Sequence, residues 1–453
     1  VPALPAIQAD LDTTPSAAAW LLTGYLLSAS VVTPIAGRLG DMFGKRRMLA
    51  WALSIFALGL LMGGLASSIE MLILARVAQG FGGALFPLAF GIIRDEFPAD
   101  RAAQGIAFMS ALLGVGGGLG VVIAGPIVSS LGYHWIFWPP LALVLCSIAG
   151  TVLLVPESRV KTPSRVDWTG AVLLSLWLTA ILLGISRSSD WGWTDPWVLG
   201  LGAAGGLLAA AWVRHEVRVP APLIDIALAR KRSVWTVHLA GFLVGASMYG
   251  VLLLYPNFTE APTSTGYGFG ASITEAGLFI LPLAAMVLVG GSLAGWLNDR
   301  VGPRTTLVIG ALLSAVAFLG FVGFHDRPID VYVSAGLQGA GVGLSFASLA
   351  NLVVAAVPAR QVSEAMGVNT VSRTLGGSLS TQICATVLAG SAVSGFASAE
   401  GFNAAFAFLG LVSVLACLTA LGIPRLESRP PAWPRTKRLA GGRDSFPPSR
   451  PPD

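Results

Sequence analysis

Apolar residues run through this chain in thirteen stretches, at 20–37, 48–66, 70–93, 103–128, 135–155, 169–187, 197–213, 235–257, 273–297, 305–323, 331–357, 366–394 and 402–423, with short polar segments between them. A helix rises 1.5 Å per residue, so about twenty residues cross the hydrocarbon core of a bilayer. Stretches of this length are too long for buried strands, and lipid offers an open backbone no hydrogen-bond partner. The pattern predicts an all-α polytopic membrane protein.

The polar segments fix its orientation. Lys and Arg collect in alternate connections: Arg38 with 45–47, Arg94 and Arg101, Arg159 with Lys161 and Arg165, Arg214 and Arg218 with 230–232, Arg300 and Arg304, and Arg360. The intervening connections, around 67–69, 129–134, 188–196, 258–272, 324–330 and 395–401, hold only Arg327. Cytoplasmic loops carry the basic excess, so the first set is cytoplasmic, and the tail after Pro424 lies on the same side. Thirteen crossings then place Val1 outside. The opening VPALPAIQADL reads as the outer end of a helix whose body is missing, so fourteen spans are expected of the full protein.

Composition agrees: 54% of residues are hydrophobic and 11% charged, too few charges to coat a soluble fold of this length. A formal net charge of +5 suits loops facing anionic lipid, and nucleic acid is not an expected partner. Cys146, Cys384 and Cys417 sit apart inside apolar runs and read as small core residues. His134, His215, His238 and His325 are dispersed, and the glycine-rich runs lie inside spans rather than in a strand-turn-helix setting. No cofactor, metal or catalytic site is expected.

Segments 156–168 and 214–234 flank the spans 169–187 and 197–213, which read as an inserted hairpin. Removing it and restoring a first helix leaves six plus six. The expected organisation is an N-terminal bundle over 1–155, linkers and hairpin over 156–234, a C-terminal bundle over 235–424 and a disordered Pro/Arg/Ser-rich basic tail over 425–453.

An internal repeat supports two related bundles. Gly37, Leu39, Asp41, Gly44 and Arg46 recur as Gly295, Leu297, Asp299, Gly302 and Arg304, at a constant offset of 258. Gln79-Gly80 and Gly82 recur as Gln338-Gly339 and Gly341. Repeated halves are how many transporters build a site that faces either side in turn. In the first copy, glycines permit a close approach and a tight turn, and the Asp41 carboxylate can meet a neighbouring helix N-terminus or a cytoplasmic Arg. Gly37, Asp41, Gly44, Arg46 and Arg47, with Asp299, Gly302 and Arg304, are the candidate conformational latch. The basic residues at 45–47 are expected at the inner surface, exchanging partners as the halves rock. A capped turn with topogenic charges is the plainer alternative.

At these residues the chain resembles the major facilitator superfamily, in particular its fourteen-helix drug:proton antiporter branch. GRLGDMFGKRR at 37–47 is similar to the signature of the loop between helices two and three, and LARVAQGFGGA at 74–84 to the fourth-helix signature built around an Arg. GVGGGLGVVIAGP at 114–126, YHWIFW at 133–138 and PAPLIDIAL at 220–228 are similar to later signatures of that branch. The resemblance implies a pseudo-twofold six-plus-six core and proton-coupled efflux of small amphipathic or cationic compounds across the cytoplasmic membrane, and the internal duplication, which supplies both halves of a pathway, leads us to expect a monomer. Two features depart from the pattern. The first-helix aspartate motif falls upstream of Val1, and Val121 stands where the fifth-helix signature has proline.

Within that frame, Arg76 is the proton-coupling candidate. A guanidinium in lipid is costly, so Arg76 is expected to face protein or water and to tune a nearby carboxylate rather than carry the proton itself. Glu275 and Arg373 read most simply as solvated span ends. Tyr25, Gln79, Tyr249, Asn351, Asn369 and Gln382 are cavity candidates, with helix–helix hydrogen bonding the alternative for Asn351, Asn369 and Gln382. Gly114, Gly118, Gly120, Gly125 and Pro126 suit a closely packed helix seam that can slide. Another small solute, such as a metabolite, amino acid or siderophore, is the alternative cargo. Several acidic groups in the cavity would favour cations, whereas a second buried Arg would favour anions.

Overall fold

Glycines and short polar side chains set where the helices begin and end. A computed structural model describes residues 10–13, 15–98, 130–157, 167–220, 224–358, 361–393 and 396–424, with single positions at 7, at 222 and between 101 and 128. Helix α1 (Pro15–Phe43) is joined to α2 (Lys45–Gly64) by Gly44 alone, whose φ of 115° few other residues adopt. Ser68 caps α3 (Ile69–Gln79), which runs through a 3₁₀ turn at Gly80–Ala84 into α4 (Leu85–Glu96). The single span expected over 70–93 is one membrane-crossing stretch, Ile69–Glu96, with this 3₁₀ turn inside it. Its glycine run weakens the helix, and Pro87, in the first turn of α4, has no N–H to donate back to the turn.

Helix α5 (Trp138–Leu154) ends the first half. The hairpin follows as α6 (Trp168–Trp191) and α7 (Pro196–Glu216), capped by Asp167 and Asp195. The second half comprises α8 (Arg232–Glu260), α9 (Ile273–Val301), α10 (Pro303–Gly323), α11 (Pro328–Ala356), α12 (Val362–Gly390) and α13 (Ala399–Gly422). A two-residue antiparallel pair, with Ala392 opposite Ala397, precedes α13. Among the described residues, ten helices are long and apolar enough to cross a membrane, counting Ile69–Glu96 as one. The tail over 425–453 and positions 114, 118 and 125 lie outside the described residues.

Packing follows the two halves. In the first, α2 lies against α3 and α5; in the second, α11 lies between α9 and α10, and α13 packs on α10 and α8. Tyr255, Phe258, Phe321 and Phe406 interlock in the second half, and the Tyr255 hydroxyl meets Ser334 Oγ at 2.7 Å. Outer faces are apolar: Leu153 and Leu154 are 79% and 82% exposed, which suits lipid and not water. The hairpin packs on itself and lays α6 against both α1 and α12.

Small residues let α8 and α12 touch backbone to backbone. A Cβ on Gly245 would meet the backbone of Arg373, and one on Gly376 the carbonyl of Phe242. Gly376→Leu should therefore separate the pair and lower the thermal unfolding midpoint of the purified protein. Gly390→Leu, in the same helix but facing open space, should leave it unchanged.

Candidate functional site

The cytoplasmic ends of the two halves meet where α1 crosses the start of α12. Gly37 makes this possible: a Cβ there would stand 2.6 Å from the Ser363 carbonyl oxygen, and one on Gly367 would stand 2.9 Å from Pro34 Cα. Across the seam Asp41 accepts a hydrogen bond from the backbone N–H of Glu364 at 3.2 Å, at the N-terminus of α12 where the helix dipole favours an anion. Arg38 reaches the Glu364 carboxylate at 3.4 Å, and the backbone N–H of Asp225 donates to the same carboxylate at 3.1 Å. Asp225 belongs to the linker between the hairpin and α8, so three parts of the chain converge on one buried carboxylate.

Lys45 sits behind Asp41. Its side chain is fully buried, with Nζ 3.2 Å from Asp41 and 2.8 Å from Asp95. This corrects the surface position expected for Lys45. The turn at Gly44 carries Lys45 back over α1 into a slot beside Gly91, whose lack of a side chain leaves room for its stem. Arg46 and Arg47 stay within the first half. The Arg46 backbone N–H donates to Glu157 at 3.2 Å, its guanidinium to the Val152 carbonyl, and Arg47 lies 3.9 Å from Glu157 while remaining largely exposed.

The second copy of the motif is built differently. By the count of crossings, Asp299 lies on the same membrane face as Asp41, yet it is exposed and does not join the seam. Gly302 turns the chain at φ 85°, and Arg304 donates to the Leu421 carbonyl within its own half. Among the described residues, only the first copy engages the opposite half.

Toward the outer side of the seam lies a cavity of about 430 Å³ between α1, α6, α8 and α12. Leu26, Leu182, Ile185 and Leu252 supply apolar walls; Tyr249, Thr374, Ser378, Thr381 and Gln382 supply neutral polar groups. Positions 374, 378, 381 and 382 form one face of α12 by helical spacing. The outer loop of the hairpin is tied to the same helix, with Trp193 Nε1 donating to Thr386 Oγ1 at 2.9 Å.

Of the cavity candidates, the structure therefore brings Tyr249 and Gln382 to the wall. Tyr25 lies beneath the Arg76 guanidinium, which stands 5.5 Å from its ring centre. Gln79 is turned away: it accepts from Arg76 at 3.0 Å and donates to the Gly59 carbonyl at 2.9 Å. Asn351 bonds only within its own helix, to Ala347, and Asn369 is buried beside Arg373. Gly120 faces open space, and Pro126 accepts from Ser130.

Glu275 caps α9 with Ser272, as an end residue does. Arg373 does not behave as a span end. It is 6% exposed, donates to Asn369 and Thr370 at 3.1 and 3.3 Å, and lies 4.6 Å over the Phe346 ring. Glu364, Asp95, Asp225 and the Asp167–His215 pair at 2.9 Å were not singled out by the sequence. For Glu364 a signal existed: it is an acidic residue in the first turn before a span, where a helix start would be read without a role.

Comparison with known proteins accords with this arrangement. The Major Facilitator Superfamily profile matches residues 1–381 and again 237–448. The chain is 30% identical over 389 residues to the Tetracenomycin C resistance and export protein of Streptomyces glaucescens, covering 85% of this chain and 71% of that one. It is 32% identical over 445 residues to the Cephamycin export protein CmcT of Amycolatopsis lactamdurans, covering 95% and 89%. In structure it resembles the proton:xylose symporter XylE with a TM-score of 0.63 at 17% identity, over 93% of this chain and 91% of that one. With the repeat, the helical halves and this match along its length, the chain belongs to the Major Facilitator Superfamily, as a multi-pass transporter of the cell membrane.

Proposed function

We propose that this protein exports small amphipathic compounds by alternating access, in exchange for protons. The observation that carries the reading is the seam: an apolar chamber between the halves lies above a closed cytoplasmic contact whose centre is a buried carboxylate, Glu364. An apolar chamber of this size with neutral polar groups suits a drug-sized amphiphile. Relatives named for the export of tetracenomycin C, cephamycin and multiple drugs support the class of cargo and the direction.

Opening the seam to the cytoplasm breaks the Arg38–Glu364 contact and frees Asp41 from the α12 N-terminus, so the charges there set the balance between states. Export needs cargo and proton to favour opposite steps, because a ligand bound equally by both states shifts nothing. Arg76, held by the Leu21 carbonyl at 3.3 Å and by Gln79, is placed beside Tyr25 at the joint between the halves. We assign it a positioning role in coupling.

Proteoliposomes loaded with an amphipathic dye test this. An imposed pH gradient should drive dye transport by the wild type, and Arg76→Ala should slow it at least about tenfold, a barrier change of roughly 1.4 kcal/mol. The thermal midpoint should hold, since Arg76 contacts one carbonyl, one amide and one ring, none of them charged. A transport rate indifferent to the gradient rejects exchange with protons.

A further inference from the structure

Among the described helices, the charges set well away from the ends are of one sign. Every Asp and Glu on the described helices sits in or beside a terminal turn, as at Asp41, Glu70, Asp95, Glu216, Glu260, Glu275, Asp299, Asp330, Glu364 and Glu400. The sequence over 102–131 contains none. Arg76, in the last turn of α3 but well inside the Ile69–Glu96 span, and Arg373, well inside α12, by contrast lie away from the span ends, one in each half.

Both have neutral partners among the described residues. Arg76 meets a carbonyl, an amide and the Tyr25 ring; Arg373 meets Asn369, Thr370 and the Phe346 ring. Tyr249, which lines the chamber, packs its ring on Gly377, one turn from Arg373, and Gly245, one turn before Tyr249, lies against the Arg373 backbone. Each guanidinium thus stands near a tyrosine at the joint between the halves. Arg373 lies one turn to the cytoplasmic side of Gly377, which lines the chamber. A guanidinium with only dipoles around it in a low-dielectric interior leaves its charge uncompensated, and an arriving anion gains what those dipoles do not supply. Among the described residues, none that lines the chamber is acidic.

We propose that the transported amphiphile carries an anionic group, a carboxylate or an acidic phenol or enol, and that Arg373 is its counter-charge, reached past Tyr249. This rests on the export reading above and narrows its cargo. The apolar walls on α1, α6 and α8 take the hydrophobic body, and the neutral polar face of α12 leads down to the charge.

Equilibrium binding to the full chain in lipid nanodiscs, with no pH gradient, separates this from the coupling question. The probes are 2-naphthoic acid, its methyl ester and 2-naphthylmethylammonium at pH 7, which share one aromatic body and differ in charge. Wild type should bind the acid at least about tenfold more tightly than the ester, as a charge-assisted contact predicts, and the ammonium most weakly. Arg373→Gln should remove the preference for the acid while leaving ester affinity in place, and Arg373→Lys should keep most of it. Equal or tighter binding of the ester or ammonium by wild type overturns the proposal, as does absence of saturable acid binding. An equal loss for all three probes in Arg373→Gln also overturns it, because that is the mark of a structural role. A failure of gradient-driven transport alone would leave these affinities unmoved and would count against proton exchange only.

Discussion

Lys45→Met is expected to destabilise the protein by about 3–5 kcal/mol, the usual cost of removing one partner from a buried ion pair. The Lys45 ammonium is fully buried between Asp41 at 3.2 Å and Asp95 at 2.8 Å, so its loss leaves two buried carboxylates without the charge that bridges them. Methionine fills the slot beside Gly91 about as well as the lysine stem does, which isolates the effect of charge from that of packing. The thermal midpoint of the purified protein measures the loss. A Lys45→Met, Asp41→Asn, Asp95→Asn triple variant should recover most of it, because replacing a whole buried ionic group is far less costly than breaking it. If the triple variant is no more stable than Lys45→Met, the charge argument fails and the lysine stem is what matters. Arg47→Met supplies the contrast: its contact with Glu157 is 3.9 Å long and largely exposed, and little should change.

How far the sequence foretold this site follows from what kind of signal each residue leaves. Spans are legible because crossing lipid imposes a length and an apolar composition on every helix, and the basic loops mark one face. The 3₁₀ turn at Gly80–Ala84 lay in plain sight as glycines followed by Pro87, but composition alone read it as part of one span. The repeat of Gly37 to Arg46 at Gly295 to Arg304 showed two related halves. It could not show that Asp41 is buried in a contact while Asp299 faces solvent, because equal motifs do not fix unequal neighbours. Arg373 was read as an end charge from its distance along the span. Its burial comes from the close approach of α8 at Gly245 and from Phe346 on α11, neither visible along one helix. Lys45 and Asp95 are 50 residues apart and meet only because α1, α2 and α4 fold together. Residues whose role depends on a long-range partner of ordinary type leave no local mark.

Glu364→Gln should abolish the pH dependence of the cytoplasmic contact. Glu364 stands in the first turn of α12, on the cytoplasmic side of the apolar stretch 366–394, and burial pushes its carboxyl up to about 8. The Arg38 guanidinium and the Asp225 N–H pull it down, whereas the nearby Asp41 and Asp225 carboxylates push it further up. In the open state water reaches the group and it returns to the ordinary range, about 4.3. The closed state therefore binds the proton more tightly. Its stabilisation by this group is complete below the open-state value, declines as pH rises through the interval, and is gone above about 8. Each pH unit in that window should change the closed-to-open ratio by up to about tenfold, or 1.4 kcal/mol. Distances between spin labels at exposed Phe43 and Ala355, in a background lacking Cys146, Cys384 and Cys417, report the ratio directly. Wild type should shift from closed to open between mildly acidic and mildly basic pH. Gln cannot ionise, keeps an acceptor for the Asp225 N–H, and should hold the contact closed throughout. Arg38→Gln removes the group that favours the ionised form, so its transition should move to higher pH. A wild-type distance that stays constant over this range, or a Gln variant that retains the slope, assigns the pH response to another group.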